Sequence, residues 1–323
     1  MKIIAKALIA VVAAACVVTN AAASPFPEKT IRLIVPFAPG GTVNLIGRVL
    51  AQRLSENIGQ QVIVENKPGA GGTLGADIVA KAPADGYTLL LASSAHQSFH
   101  PLLYKTLPYD ANKAFVQVAL FAAVPNVLVV SNKVPAKSVK ELIAYSKSGV
   151  KKLFMGSAGN GSVNHMVGEL FQHKTNTDFE HVPYKGAGPA TSDLLAGQID
   201  LMFVNLPNVL PYVQSGNMRA LAVASKQRSS ALPDVPTMAE AGVPDYAVDS
   251  WSGVLAPAGT PKAIVDKLSA EINKIVKEKM TVESLAAVGA VPLPGTSADY
   301  SALVRFETQR WSEVIKKAKI TLD

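Results

Sequence analysis

Phe37-Ala38-Pro39-Gly40-Gly41-Thr42 and Ser157-Ala158-Gly159-Asn160-Gly161-Ser162 are two glycine-rich turns. Each sits between a hydrophobic run that reads as a strand and an amphipathic run that reads as a helix. Such a junction binds anions, because the first-turn N–H groups of a helix lack an intrahelical acceptor and the helix dipole adds partial positive charge there. Gly40 and Gly41 also remove Cβ atoms that would hold a ligand away from those donors. The strand before the first turn spans 31–36, and the helix behind it carries Ile46, Val49, Leu50 and Leu54; the second turn joins a strand over 153–156 to a helix over 163–174. Two such traps in one chain imply two lobes closing on one anion. Neutral amides and hydroxyls would hold it without burying a lysine, whose desolvation is costly.

Other chemistries fit these residues less well. Met155-Gly156-Ser157-Ala158-Gly159 lacks the first glycine of a nucleophile elbow, and no aspartate and histidine follow in a convincing order. A secreted hydrolase using Ser157 is therefore the enzyme-class alternative, and no catalysis is the main expectation. Asn164 takes the place of the third glycine in a dinucleotide fingerprint, and the chain has no Gly-Lys dipeptide and so no P-loop. His165, His173 and His181 recur every eight residues without an HExxH or Cys-His cluster, so no metal and no cofactor are expected.

Lys2 and Lys6 precede an apolar run over 7–18, and Ala21-Ala22-Ala23 follows as a cleavage pattern, which together read as a secretory signal peptide over 1–23. The run is short for a bilayer span of roughly 20 residues. Ala13-Ala14-Ala15-Cys16 only loosely resembles a lipoprotein site, lacking its leucine. Cleavage near Ser24 removes the only cysteine, which excludes thiol chemistry from the mature protein. It also takes the formal charge from +7 to +5 by removing two lysines. The remaining basic residues are scattered, which argues against nucleic acid. No sustained heptad or apolar stripe argues for assembly, so a monomer is expected.

About 300 mature residues exceed one typical core. Strand and helix alternate: strands at 61–65 and 87–92 and a helix at 73–82 extend a first α/β lobe with a largely parallel sheet. Two β-rich stretches flanking Val124-Pro125-Asn126 read as the crossing into a second lobe. That lobe takes helices at 138–147, 163–174 and 189–197 and strands at 153–156, 179–182, 199–204 and 219–224, with Ser138 and Glu141 in capping-box register. After a proline-rich connector, a strand at 252–256 returns to the first lobe, followed by a helix at 261–277 capped by Thr260 and a last helix at 297–318. The expected division is 24–122 with 248–323 for lobe 1 and 123–247 for lobe 2. Two connections let such lobes hinge about a cleft.

Ile34-Val35-Pro36-Phe37-Ala38-Pro39-Gly40-Gly41, Val64-Glu65-Asn66-Lys67-Pro68-Gly69-Ala70-Gly71-Gly72, Asp85-Gly86-Tyr87 and Leu107-Pro108-Tyr109-Asp110 run in that order along the chain. Val182-Pro183-Tyr184-Lys185-Gly186 and Val254-Leu255-Ala256-Pro257-Ala258-Gly259-Thr260-Pro261 follow. Together they resemble the Bug (TctC-like) receptors, the extracytoplasmic solute-binding proteins of tripartite tricarboxylate transporters, over essentially the whole mature chain. The resemblance implies a type II periplasmic-binding-protein fold, a periplasmic location, and capture of a di- or tricarboxylate or aromatic acid in the interlobe cleft for delivery to a membrane permease. A ligand-presenting sensor would use the same cleft.

Carried over by position, the resemblance assigns the ligand carboxylate to Phe37, Ala38, Gly40, Gly41 and Thr42 of the first loop. It assigns Ser157, Ala158, Gly159, Asn160, Gly161, Ser162 and His165 from the second. Tyr184, Lys185, Gly186, Ala187 and Asn205 would contact the rest of the ligand, and Ser93 and Ser94 sit where ligands of open sheets gather. Many relatives carry aspartate where this chain has Asn44 and Val204. Their loss removes repulsion toward an anion and removes partners for an ammonium, so the expected ligand is an unaminated carboxylate.

Overall fold

The computed structural model describes residues 26–318 and 320. The expected signal segment and Cys16 lie outside the described residues. β1 (Ile31–Val35), β2 (Val62–Asn66) and β3 (Thr88–Ser93) form a parallel trio with β1 in the middle, joined through α1 (Thr42–Ile58) and α2 (Thr73–Ala80). Leu33 lies opposite Val64 on one side and Leu89 on the other, so the near-continuous apolar runs meet as strands buried on both faces do. A π-helical turn at Ala95–Phe99 and a short α3 (His100–Leu103) then lead to β4 (Phe115–Ser131).

Beyond β4 the alternation resumes with α4 (Val139–Lys147), β5 (Leu153–Ser157), α5 (Val163–Thr175), β6 (Phe179–Pro183) and α6 (Ala187–Ala196). β7 (Leu201–Asn205), α7 (Leu210–Gln214) and β8 (Met218–Val223) complete this half. α4 opens as its sequence specifies: the Glu141 amide donates to Ser138 Oγ at 3.2 Å, and the Glu141 carboxylate accepts from the Lys137 amide at 2.7 Å. The return brings β9 (Asp249–Pro257), α8 (Lys262–Ile275), α9 (Lys279–Ala287), β10 (Val291–Gly295) and α10 (Ser297–Ala318).

The sheet order is β2-β1-β3-β9-β4-β7-β5-β6, with β8 and β10 also on β4. β4 is one strand where the sequence suggested two stretches, and it serves both halves. Phe115 to Pro125 run antiparallel to β9, whereas Asn126 to Val130 run antiparallel to β7. Pro125, which has no ladder donor, sits where the partner changes, a position that tolerates proline. Beside it the fully buried Asn126 gives its amide to the Val248 carbonyl and Ser250 Oγ, both at 3.1 Å, tying the two crossing strands together.

Three further expectations change. Thr260 does not cap α8; its hydroxyl donates to the Pro257 carbonyl at 2.7 Å, and Pro261 takes the cap position. α9 and β10 are additional elements, and β9 begins three residues before the expected strand. The last helix does not pack wholly on the first lobe. Tyr300, near its start, meets Trp251 with ring centroids 5.5 Å apart, but Trp311 and Ile315 join the second half's core, Trp311 edge-on to Phe99 at 4.9 Å. The segment 95–103 does the same, since Ala95, Phe99 and Leu103 belong to that core although they follow β3 of the first half. Two apolar struts therefore accompany the two strand connections.

Trp311 is 1 % exposed and its indole N–H donates to Glu307 at 2.8 Å. Trp311→Ala should lower the unfolding free energy by about 3–5 kcal/mol, the usual cost of emptying a large aromatic site. Urea denaturation checks this, and a loss below about 1 kcal/mol would contradict the strut's role.

Candidate functional site

The first loop is fixed from behind by a chain of amides. Gly40 adopts φ +85°, a conformation open to residues without a Cβ, and its N–H donates to Asn44 Oδ1 at 3.3 Å. Asn44 in turn donates to Asn66 Oδ1 at 3.0 Å, and Asn66 donates to the Phe37 carbonyl at 2.8 Å. Gly41 is the N-cap of α1 and no side chain caps that helix. The amides of Thr42 and Val43 therefore have no intrahelical acceptor at the cavity wall.

The second loop spends more of its donors on itself. The Gly159 amide donates to Ser157 Oγ at 3.1 Å, the Gly161 amide to His165 Nδ1 at 3.2 Å, and the Ser162 amide to the Gly159 carbonyl at 3.1 Å. Ser162 caps α5 by accepting from the His165 amide at 3.3 Å. The carbonyls are held as well: Asn160 O accepts from Tyr104 at 3.4 Å, and Gly161 O lies 3.2 Å from His100 Nε2. The opening amides of α5, Val163 and Asn164, keep no intrahelical acceptor.

Both loops line one cavity of about 570 Å³ between the two halves. Thr42 donates its hydroxyl across it to Asn208 Oδ1 at 2.8 Å, a direct contact between the first loop and the second half. Phe37, Ala38, Gly40, Gly41 and Thr42 line it from one side, and Ala158, Ser162, Lys185, Gly186, Ala187 and Asn205 from the other, with Ser93 at the end of β3. Among the described residues Lys185 is the only ionic side chain in the lining, and no aspartate or glutamate reaches it.

Nine expected contacts do not line the cavity. Asn44 is 2 % exposed and holds Gly40 as described. Val204 packs in the second half's core, because strand alternation turns it inward and presents Asn205. Ser94 is buried beneath the end of β3. Ser157, Gly159, Asn160, Gly161 and His165 form the loop's internal scaffold. Tyr184 donates its hydroxyl to Asp193 at 2.7 Å and so braces α6.

The sequence reading missed Asn164, Thr191, Asn208, Ser250 and Ser252 in the lining. Asn164 was within reach, as a first-turn residue of the helix behind the loop. Ser250 and Ser252 are alternate residues of β9 and so share a face. They were invisible as a pair because the strand was started at 252.

Two histidines that the sequence left unread stand behind the loops. Phe37, His96, His100 and Tyr104 form a run of edge-on rings, with centroids 6.0, 5.1 and 5.2 Å apart. It reaches from the first loop to the carbonyls of the second. Both imidazoles are fully buried. Burial pushes His96 down to about 4, and burial together with the neighbouring His96 holds His100 well below the usual histidine range. Under the second loop, burial and the proximity of His165 push His181 down to about 3.

A family model described as "Tripartite tricarboxylate transporter family receptor" matches residues 46–320. The chain belongs to that receptor family. Protein BugT of Bordetella pertussis is 40 % identical over 307 residues, covering 95 % of this chain and 94 % of BugT. Among solved structures, Rpa4515 of R. palustris with adipate is 38 % identical with a TM-score of 0.88, covering 92 % of this chain and 99 % of that one. MatC (Rpa3494) of Rhodopseudomonas palustris with bound malate is 35 % identical with a TM-score of 0.84, covering 90 % of this chain and all of that one. The architecture is the two-lobed α/β fold of periplasmic binding proteins, and the relatives are solute-binding receptors. Among the described residues no helix is long and apolar enough to cross a membrane.

The buried imidazoles set a pH dependence. His96 stays neutral in the fold until about pH 4, whereas the unfolded chain takes up the proton near 6.5. Its contribution is therefore complete above about 6.5 and is lost as pH falls toward 4, by on the order of 3 kcal/mol for a shift of this size at a fully buried site. Urea midpoints between pH 7 and 4.5 should fall accordingly, and the His96 ring resonance should not titrate above about pH 5. Titration near the ordinary histidine value would contradict this burial.

Proposed function

We propose that the protein is a periplasmic receptor that captures a small carboxylate without an ammonium group and delivers it to the membrane permease of a tripartite tricarboxylate transporter. The observation that carries the proposal is the shared cavity. Two helix N-termini and several hydroxyls converge there, and among the described residues one lysine is the only ionic side chain in the lining, with no carboxylate to pair with an ammonium. One ligand carboxylate would sit between the opening turns of α1 and α5. The apolar wall at Phe37, Val43 and Val124 would take the ligand's body. The ligands of the two solved relatives, adipate and malate, are unaminated dicarboxylates, which supports the same class here.

The reading is one of binding without turnover, by a monomer made of lobe 1 (24–122 and 248–323) and lobe 2 (123–247). The partner change of β4 between Pro125 and Asn126 supports this division. α10 would then be a brace shared between lobes. The location follows from the apolar N-terminal run read as a secretory signal. A single observation favours the hydrolase alternative: Ser157 Oγ lies 2.6 Å from His181 Nε2. That hydroxyl is fully buried and outside the cavity lining, so it has no substrate to attack.

A thermal-shift and calorimetric series with adipate, malate, benzoate, aspartate and glutamate tests the proposal. An unaminated acid at 100 times its dissociation constant should add roughly 2.7 kcal/mol of stability. A response confined to aspartate or glutamate, or none at all, would reject it.

A further inference from the structure

Ser157 and His181 drew attention as a possible catalytic pair, but their contacts describe a different task. In the parallel register of β5 and β6, His181 lies opposite Met155, so its side chain shares a face with that of Ser157 two residues on. The two side chains meet at 2.6 Å, Ser157 Oγ to His181 Nε2. The same hydroxyl accepts the Gly159 amide at 3.1 Å and lies 3.2 Å from the Gly159 carbonyl. A single serine hydroxyl thus grips the N–H and the C=O of one residue, Gly159, and so ties the two peptide groups that flank its Cα.

That residue needs to be held. Gly159 has φ +125°, and a Cβ there would approach the Tyr184 carbonyl to 3.1 Å. Left to itself the glycine would sample many conformations. Both of the serine's other partners belong to the mobile glycine itself, and His181 supplies the one that comes from a neighbouring strand and anchors the oxygen to the sheet.

The imidazole is itself fixed. His181 stacks on His165, with ring centroids 3.9 Å apart and planes 13° from parallel. His165 takes the Gly161 amide on Nδ1 at 3.2 Å and lies 3.5 Å from Glu169 through Nε2. Nδ1 of His165 thus serves as an acceptor, and Nε2 faces the carboxylate. Two stacked rings therefore control the two glycine amides of one loop, His165 directly and His181 through Ser157. Burial and the stacked neighbour together depress the proton affinity of His181.

We propose that His181 is a positioning residue for ligand capture: by fixing the Ser157 hydroxyl it sets the Gly159 peptide, and so aims the opening amides of α5 into the cavity. The inference rests on the proposed role of the second loop in holding a carboxylate. His181 itself does not line the cavity.

The test compares three variants with the wild type, using adipate as the probe. His181→Phe keeps a ring to stack on His165 and removes the nitrogen. His181→Gln returns a polar atom near the position of Nε2, and Ser157→Ala removes the intermediary. Adipate affinity should fall about tenfold in His181→Phe, the effect of one lost buried hydrogen bond, and recover most of that in His181→Gln. Adding His181→Phe to Ser157→Ala should cost little more, because the two act in series. In ligand-free protein the Gly159 amide should exchange with solvent faster in His181→Phe than in His181→Gln.

Unchanged affinity and exchange in His181→Phe would overturn the proposal, as would a loss of the same size with and without Ser157. If the wild type binds no carboxylate, the receptor reading fails, while the exchange comparison still decides whether His181 orders the loop. Should His181→Phe not fold, the exchange rate and affinity of Ser157→Ala decide: no change in either overturns the mechanism.

Discussion

Peptide groups at two helix starts can bind an anion only if they are held in one orientation, and this structure devotes most of its polar side chains near the cleft to that constraint. An unrestrained glycine turn would let its carbonyls swing toward the cavity, where they would repel a carboxylate. Here the carbonyls of Phe37, Asn160 and Gly161 are engaged by Asn66, Tyr104 and His100 on the far side. The amides of Gly40, Gly159 and Gly161 are spent on Asn44, Ser157 and His165. What remains for a ligand is the pair of opening turns, α1 and α5, with their hydroxyls.

The constraint is met almost entirely with neutral groups. Asn44, Asn66, Ser157 and Ser162, with His96, His100, His165 and His181, surround the loops, and His96 and His100 are buried to the point of resisting protonation. A buried charge would cost more to desolvate than the loop gains by being held, whereas neutral donors and acceptors satisfy one another at close range. The site thus keeps its positive potential in backbone dipoles. On the proposed reading, anion selectivity would follow from geometry, and rejection of an ammonium from the lack of an acidic side chain among the described residues of the lining.

Lobe architecture and site are coupled through the same residues. The segment 95–104 carries His96, His100 and Tyr104 toward the loops on one side and Phe99 and Leu103 into the second half's core on the other. β4 and α10 cross between the halves as well. A hinge motion would thus have to move against packed struts, so the loops are set in register by the body of the protein and not by the ligand alone.

Much of this was legible in the sequence, because strand and helix periods and glycine turns are local signals. The two loops, their strands, and the partition around Val124-Pro125-Asn126 follow from such patterns. What escaped depends on distant neighbours. Val204 and Asn205 are adjacent in sequence, and only strand alternation within a paired sheet decides which of them faces the cavity. Asn44 and Ser157 have the chemistry of ligand contacts, yet Asn66 and His181 draw them into the scaffold. His181 lies 24 residues from Ser157, and only the β5–β6 register brings them together. Trp311 lies in the last helix, and only its contact with Phe99 places it in the second half's core.

A crystal structure of the protein with adipate tests the central claim most directly. The account predicts one carboxylate held between the amides of Thr42 and Val43 and those of Val163 and Asn164, within hydrogen-bond distance of both turns. A carboxylate bound to Lys185 alone, or to one turn with the other facing empty solvent, would contradict it.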